Sequence, residues 1–212
     1  MTAYLFDLDG TLADTLPIIL QSSRLALAEL GREISDERIT ALIGVPLLET
    51  GELLLGPGQG ELYLECYQRH FLSLNIDSLS AFPGLAELLA KLKAGGGKLA
   101  CVTSKRLQPA EATLIQIGLW PYFAVLVGAE STDTHKPHPA PALKALELLE
   151  AQGEKALFIG DSIFDIGCAH NAGLLSCGVT WGAGEEQQLK EAGAAFIAHT
   201  VEELAAILLA EL

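Results

Sequence analysis

YLFDLDGTLADT, residues 4–15, is the most informative stretch of the chain. It opens with an apolar run, Tyr4–Phe6, that is typical of a buried strand, and then places Asp7 and Asp9 at the end of that strand. Because Gly10 lets the backbone turn, the two carboxylates can approach one substrate from different directions. The alternative interpretation is that both aspartates only cap the turn after the strand, as Asp often does.

Four further short apolar runs follow along the chain, with helical stretches between them; they are Lys98–Thr103, Phe123–Val127, Ala156–Ile159 and Leu174–Val179. This alternation is typical of βαβ units, in which right-handed crossovers place helices on both faces of a parallel sheet. The sequence therefore predicts an α/β fold built on a Rossmann-like, doubly wound parallel sheet.

The segment between the first two strand-like runs has helical periodicity and no convincing strand. It is too long for a simple crossover. We therefore expect an all-helical cap domain at residues 15–80, inserted into an α/β core domain that consists of residues 1–14 and 81–212. The glycine-rich stretch Gly56–Gly60 inside this insert follows no strand, so we expect a loop between helices rather than a nucleotide-binding loop.

The composition limits the classes of partner. The chain has 212 residues, 50% of them hydrophobic, and a formal net charge of -14. That charge disfavours nucleic acid, and no apolar run reaches the roughly 18 residues that cross a membrane. We expect a cytoplasmic protein, a monomer or weak homodimer. The four cysteines lie far apart without a C-x-x-C pair, and we expect buried thiols at Cys66, Cys101, Cys168 and Cys177.

Polar residues gather after four of the predicted strands. In strand order they are Asp7 and Asp9, Thr103 and Ser104, Lys136, and Asp161 with Asp165. Because ligands of open parallel sheets bind beyond the carboxyl ends of the strands, we expect these residues to line one pocket.

Two of these positions have plainer interpretations. Lys136 lies in a proline-stiffened loop, HKPHP, and the alternative to a site residue is a solvated lysine. The histidines of that loop are not spaced on a helix face to chelate a metal. Asp161 can be a helix N-cap, with Asp165 in the first turn of the same helix.

The charge of the predicted pocket favours a cation. Four carboxylates stand against one lysine, which gives a formal charge near -3 in one cleft. A divalent ion would offset this charge, and ligation by oxygen alone selects a hard ion such as Mg²⁺. The ion would in turn attract a phosphoryl group.

These residues stand in four short motifs: DLDGT at Asp7–Thr11, VTS at Val102–Ser104, KP at Lys136–Pro137, and GDSIFD at Gly160–Asp165. In this order they resemble the four motifs of the haloacid dehalogenase superfamily, and most closely its phosphoglycolate phosphatase-like branch. The resemblance covers essentially the whole chain. The helical insert is similar to the first cap type of that superfamily.

The resemblance implies catalytic roles for four residues. Asp7 would be the nucleophile that forms an aspartyl-phosphate. Asp9 would protonate the leaving oxygen and then activate the water that hydrolyses the intermediate. Thr103 would hydrogen-bond the transferring phosphoryl group, and Lys136 would neutralise its oxygens.

The resemblance also implies the binding residues. Mg²⁺ would be held by Asp7, the backbone carbonyl of Asp9, Asp161 and Asp165, the last either directly or through water. The residues expected to contact the phosphate of the substrate are Gly10, Thr11, Thr103, Ser104 and Lys136.

The function implied is that of a Mg²⁺-dependent phosphatase, a phosphoric monoester hydrolase, acting on a small phosphorylated metabolite similar to 2-phosphoglycolate. Asp9 stands where the dehalogenases of the superfamily lack an acid, which argues against carbon–halogen cleavage. The alternatives are a phosphosugar mutase of the β-phosphoglucomutase type and a catalytically inactive regulatory binding module. The insert has no lysine, and its four arginines are Arg24, Arg32, Arg38 and Arg69. These arginines either bind a carboxylate of the substrate or lie on the surface.

Overall fold

The computed structural model describes residues 2–74 and 79–210. Its centre is a parallel sheet of six strands: β1 Thr2–Phe6, β2 Lys98–Val102, β3 Val125–Val127, β4 Lys155–Gly160, β5 Leu175–Val179 and β6 Phe196–Ala198. The strand order is β3-β2-β1-β4-β5-β6. The predicted α/β fold with a doubly wound parallel sheet is therefore confirmed.

Ten α-helices accompany the sheet in the described part of the chain: α1 Leu16–Glu29, α2 Asp36–Thr40, α3 Leu47–Leu55, α4 Gly60–Ser73, α5 Leu85–Ala94, α6 Leu107–Gln116, α7 Ala140–Leu148, α8 Ile163–Asn171, α9 Glu186–Glu191 and α10 Val201–Ala210. Two short 3-10 helices lie at Trp120–Tyr122 and Ala129–Ser131. Helices pack on both faces of the sheet. Phe6 of β1 belongs to an apolar core with α5, α6 and α10, and Leu5 belongs to a second core with α7 and α8.

Strand β1 lies at the centre of the sheet, and all five of its residues are buried. Its last residue, Phe6, is level with Cys101 of β2 and Ile159 of β4. The chain leaves β1 towards β2 on one side and returns to β4 on the other, which makes a topological switch point at the carboxyl end of β1. Side chains just beyond these strand ends therefore face one crevice.

Two details of the sheet differ from the expectation. Strand β3 begins at Val125 rather than Phe123, and β6, Phe196–Ala198, is an additional edge strand. Both strands have three residues and are only partly buried, so their sequence has too few alternating positions to give a clear signal.

Helices α1–α4 fall within the inserted segment and share an apolar cluster of their own: Ala26, Leu27, Ile39, Leu54, Tyr63, Cys66 and Tyr67. On this basis we propose that residues 15–80 form a cap domain and that residues 1–14 and 81–212 form the core domain. Residues 1, 75–78 and 211–212 of these ranges lie outside the described residues.

The glycine-rich stretch connects α3 to α4, as expected of a loop between helices. The Glu52 carboxylate accepts the backbone N–H groups of Gly58 at 2.6 Å and Gly60 at 2.7 Å. The start of α4 is thus satisfied by a carboxylate of the chain itself, which leaves no reason to assign a nucleotide to it.

The burial of the cysteines and the lengths of the helices agree with the predictions from the sequence. The four cysteines are buried free thiols, as predicted. Burial raises the pKa of Cys168 to about 11 and that of Cys177 to about 12, so these thiols stay protonated at neutral pH. Among the described residues, no helix combines the length and the apolar character that a bilayer crossing requires.

Candidate functional site

Lys136 joins residues that follow three different strands. Its Nζ donates to Asp7 Oδ1 at 2.7 Å, to Asp165 Oδ1 at 2.6 Å and to the carbonyl oxygen of Val102 at 3.4 Å. Only 1% of the lysine side chain is exposed. The interpretation of Lys136 as a solvated loop lysine is therefore wrong, because its ammonium is enclosed by two carboxylates and a strand end.

Asp161 directly follows β4 and belongs to the same cluster. Its Oδ1 accepts a hydrogen bond from the Thr11 hydroxyl at 3.0 Å, and its Oδ2 accepts the N–H of Ala183 at 2.7 Å. The alternative interpretation of Asp161 as the N-cap of α8 is wrong. Ser162 is the N-cap and forms a capping box with Asp165, in which each backbone N–H donates to the other side chain. The Ser162 hydroxyl also donates to Asp165 Oδ2 at 2.6 Å.

Three glycines allow the backbone to approach these carboxylates closely. A Cβ added to Gly10, whose φ is +84°, would lie 2.3 Å from an oxygen of Asp161, and one at Gly182 would lie 2.2 Å from the same atom. A Cβ at Gly160 would meet Asp165 at 2.3 Å. Glycine at these positions therefore makes room for the acidic cluster.

The electrostatics of the cluster reflect its burial. Burial, together with the charges of Asp165 and Asp161, raises the pKa of Asp7 well above its ordinary value, although Lys136 opposes this shift. Burial and Asp165 raise the pKa of Asp161 to about 7. Burial lowers the pKa of Lys136, but Asp165 and Asp7 outweigh it, so the net shift is upward and the lysine stays charged.

The donor set fits a hard divalent cation. Asp7, Asp161 and Asp165 each offer one carboxylate oxygen, and these atoms lie within 4.8 Å of one another. All three residues are buried, and one buried lysine balances only part of their charge. Three carboxylate oxygens are the ligand type that Mg²⁺ prefers. The expected backbone ligand at Asp9 stays a prediction.

Asp9 lies near α4 of the inserted segment. Its two carboxylate oxygens accept hydrogen bonds from Lys105 Nζ at 2.6 and 2.8 Å. The same ammonium lies 5.6 Å from the ring centroid of Phe71 in α4. Burial and the nearby Asp9 charge raise the pKa of Tyr67, also in α4. Asp7 and Asp9 thus have different partners.

Lys105 is a residue that the sequence reasoning missed. With it, four carboxylates stand against two lysines, so the formal charge of the pocket is near -2 rather than near -3. The available signal was its position: Lys105 directly follows Thr103 and Ser104, in the loop after β2.

The remaining predicted residues are Thr103, Ser104 and Thr11. Thr103 is buried, and its hydroxyl accepts the N–H of Lys105 at 3.2 Å. The Ser104 hydroxyl donates to the carbonyl oxygen of Gly44 in the insert. Thr11 is buried and its hydroxyl is bonded to Asp161. The structure brings these residues to one crevice, and their roles in phosphate binding stay predictions.

The four arginines of the insert are exposed. Arg24 pairs with Asp36, Arg69 pairs with Glu29, and Arg38 donates to a backbone carbonyl. Within the described residues, the ion pairs and hydrogen bonds of these arginines reach none of the site carboxylates. The placement agrees with the interpretation of these arginines as surface groups.

Several known proteins with a similar sequence or fold are named as hydrolases or phosphatases. A family model described as haloacid dehalogenase-like hydrolase matches residues 4–179. A Caldanaerobacter subterraneus protein named for the pyrophosphatase PpaX is 41% identical and is aligned over 85% of this chain and 82% of its own. A phosphoglycolate phosphatase of Aquifex aeolicus is 34% identical over 86% of both chains. The crystal structure of a hydrolase from Pseudomonas syringae, 27% identical, matches with a TM-score of 0.87 over 98% of each chain.

Proposed function

The chain belongs to the haloacid dehalogenase-like hydrolase family, and from this premise we propose that it is a Mg²⁺-dependent phosphatase for small phosphorylated metabolites. The observation that carries the proposal is the buried cluster in which Lys136 bridges Asp7 and Asp165 beside Asp161. A cluster with this donor set suits a reaction in which an anionic nucleophile meets an anionic phosphate.

Asp7 is the nucleophile of the proposed reaction. One of its carboxylate oxygens attacks phosphorus, the bond from phosphorus to the leaving oxygen breaks, and an aspartyl-phosphate forms. Lys136, already 2.7 Å from Asp7 Oδ1, neutralises charge on the phosphoryl oxygens. The buried Thr103 hydroxyl donates a hydrogen bond to the same group.

Asp9 acts in both halves of the reaction. It first gives a proton to the leaving oxygen, and it then takes a proton from the water that attacks the aspartyl-phosphate. Its position supports this assignment, because Asp9 faces the inserted helices and Lys105 while Asp7 faces Lys136. Nucleophile and proton donor therefore approach the phosphorus from different sides.

Asp7, Asp161 and Asp165 would hold Mg²⁺. The backbone carbonyl of Asp9 would be a further ligand, and Asp165 would bind either directly or through water. When bound, the ion neutralises charge between the nucleophile and the phosphate. Thr11 and Ala183 fix the orientation of Asp161, and Ser162 fixes that of Asp165.

Two substrate types are candidates: 2-phosphoglycolate, the type implied by the sequence motifs, and pyrophosphate, which the name of the 41% identical relative favours. Both release an anionic leaving group. The mutase alternative is not favoured, since the relatives compared above carry the names of a phosphoglycolate phosphatase and a pyrophosphatase.

The proposal is tested by incubating the protein with Mg²⁺ and a panel of phosphorylated metabolites that includes both candidates. We expect release of inorganic phosphate that chelation of the metal stops and that Asp7→Asn abolishes. An isomerised substrate without free phosphate would indicate a mutase instead. Silence across the panel, with Asp7→Asn indistinguishable from the wild type, would contradict the proposal and support a binding module.

A further inference from the structure

Lys105 is a second cation of the site, and its surroundings differ from those of Lys136. The side chain of Lys105 is 13% exposed and that of its partner Asp9 is 16% exposed, against 1% for Lys136. Lys105 pairs with a single carboxylate, whereas Lys136 is held by two. Lys105 can therefore exchange a partner with an incoming ligand at lower cost.

The position of Lys105 relates it to the leaving group. Asp9 is the residue proposed to protonate the leaving oxygen, so the atoms beyond that oxygen lie next to Asp9. The Nζ of Lys105 is 2.6 Å from one Asp9 oxygen and 2.8 Å from the other. The ring of Phe71 lies on another side of this ammonium, 5.6 Å away, and closes the space towards α4.

The four arginines of the inserted segment are exposed. Arg24 and Arg69 form ion pairs with Asp36 and Glu29 on the surface. Lys136 is enclosed on the nucleophile side of the pocket. Lys105 is the cation that directly contacts Asp9, so it lies within reach of a negative charge on the leaving group.

We propose that Lys105 is a specificity-determining residue that binds an anionic group on the leaving side of the substrate. The inference rests on the proposed phosphatase function and deepens it: the preferred substrates carry a carboxylate or a second phosphate beyond the leaving oxygen. The anion takes one or more N–H donors of Lys105 that Asp9 holds in the free protein. This exchange leaves an Asp9 carboxylate oxygen free to face the leaving oxygen.

A matched pair of substrates tests the proposal. The pair is 2-phosphoglycolate and 2-hydroxyethyl phosphate. The first carries a carboxylate where the second carries a neutral alcohol. Pyrophosphate is a third substrate, in which the anionic group is a phosphate. The quantity measured is the selectivity ratio, kcat/KM for the anionic substrate divided by kcat/KM for 2-hydroxyethyl phosphate. For 2-phosphoglycolate and 2-hydroxyethyl phosphate, whose leaving alcohols need similar protonation, the ratio cancels an effect of the substitution on Asp9 or on the amount of folded protein.

In Lys105→Met we expect this ratio to fall about 10- to 100-fold, mainly through KM of the anionic substrate, as loss of a charged hydrogen bond predicts. Lys105→Arg keeps the charge and should keep most of the ratio. Lys144 is a partly exposed lysine of α7, and Lys144→Met should leave the ratio unchanged. A drop with only one anionic substrate identifies which anion Lys105 binds.

An unchanged ratio in Lys105→Met would overturn the proposal, whether activity on both substrates falls together or not at all. A joint fall would show that Lys105 acts only through Asp9. Failure of the proposed function has a different signature, because the wild type would then release phosphate from no member of the set.

Discussion

On the buried side of the site, Lys136 is enclosed by Asp7 and Asp165, and only 1% of its side chain is exposed. On the cap-facing side, Lys105 pairs with Asp9 alone, 13% exposed, against the ring of Phe71. The buried side is built on the ends of adjacent parallel strands, so the fold itself fixes it. The cap-facing side depends on residues of the insert as well, and its ion pair can adapt to a substrate. We therefore expect Lys136 and its carboxylates to serve phosphoryl transfer, and the pair of Lys105 and Asp9 to influence which substrate binds.

The largest expected effect is on the buried side. Lys136→Met leaves the carboxylates of Asp7 and Asp165 buried without their cation, and we expect the free energy of unfolding without Mg²⁺ to fall by about 3–5 kcal/mol. Phosphate release should be lost as well. Urea unfolding at neutral pH measures the change, and Lys144→Met, at a partly exposed lysine, should stay within about 0.5 kcal/mol of the wild type. A loss for Lys136→Met no larger than for the control would refute the distinction between the two sides.

The next largest effect is expected on Mg²⁺ affinity, from a substitution that fills the space between Gly10 and Asp161. Gly10→Ala places a Cβ 2.3 Å from an oxygen of Asp161, so we expect Mg²⁺ affinity to fall about 10- to 100-fold. Gly173→Ala is the matched control, because Gly173 also has a positive φ, +72°, but meets no atom within 4 Å. Calorimetric titration with Mg²⁺ compares the two variants. Equal Mg²⁺ affinity in both would show that the approach of Gly10 to Asp161 is unimportant.

A smaller effect follows from the pKa values of the buried carboxyls. Burial and Asp165 raise the pKa of Asp161 to about 7, and burial raises that of Asp7. The metal-free folded state therefore binds more protons than the unfolded chain above about pH 4, so its stability falls as pH rises towards 7. Mg²⁺ offsets this loss, and the increase in Tm that it causes should be larger at about pH 7.5 than at about pH 5.

Thermal unfolding with and without Mg²⁺ at the two pH values measures this effect. In Asp161→Asn the group cannot titrate, and both the pH dependence and the protection by Mg²⁺ should shrink. Equal protection at both pH values in the wild type would argue against a metal bound by these carboxylates.

The smallest effect is expected on the cap-facing side. Lys105→Met removes a partly exposed ion pair, which contributes less than about 1 kcal/mol to stability because solvent screens it. The same urea titration as for Lys136→Met provides the measurement. A destabilisation as large as that of Lys136→Met would mean that the cap-facing pair is structural rather than adaptable.

The buried side could be predicted from the sequence because each of its residues follows a strand. Asp7, Lys136 and Asp161 come after β1, β3 and β4, and parallel strands bring their carboxyl ends to one edge. The sequence could not decide whether Lys136 was buried or solvated, or whether Asp161 capped a helix. Those outcomes depend on distant partners such as Thr11 and Ala183.

The cap-facing side was harder to predict. Lys105 is an ordinary lysine in a loop, and only the folded insert brings Phe71 beside it while Asp9 turns towards it. The first residue of β3 was placed wrongly and β6 was not predicted, because each strand has only three residues and is only partly buried. Contacts between remote segments and very short edge strands leave no periodic pattern in the sequence.

The most direct test of the account asks whether Asp7 carries the phosphoryl group. In Asp9→Asn, p-nitrophenyl phosphate can still phosphorylate Asp7, because its leaving group needs little protonation, but hydrolysis lacks its base. We predict that acid-quenched protein, incubated with this substrate and Mg²⁺, carries one phosphoryl group on the peptide that contains Asp7, detected by mass spectrometry. The group should be absent when Asp7→Asn is combined with Asp9→Asn. An unmodified Asp7 throughout the time course, or a phosphoryl group on another residue, would contradict the account.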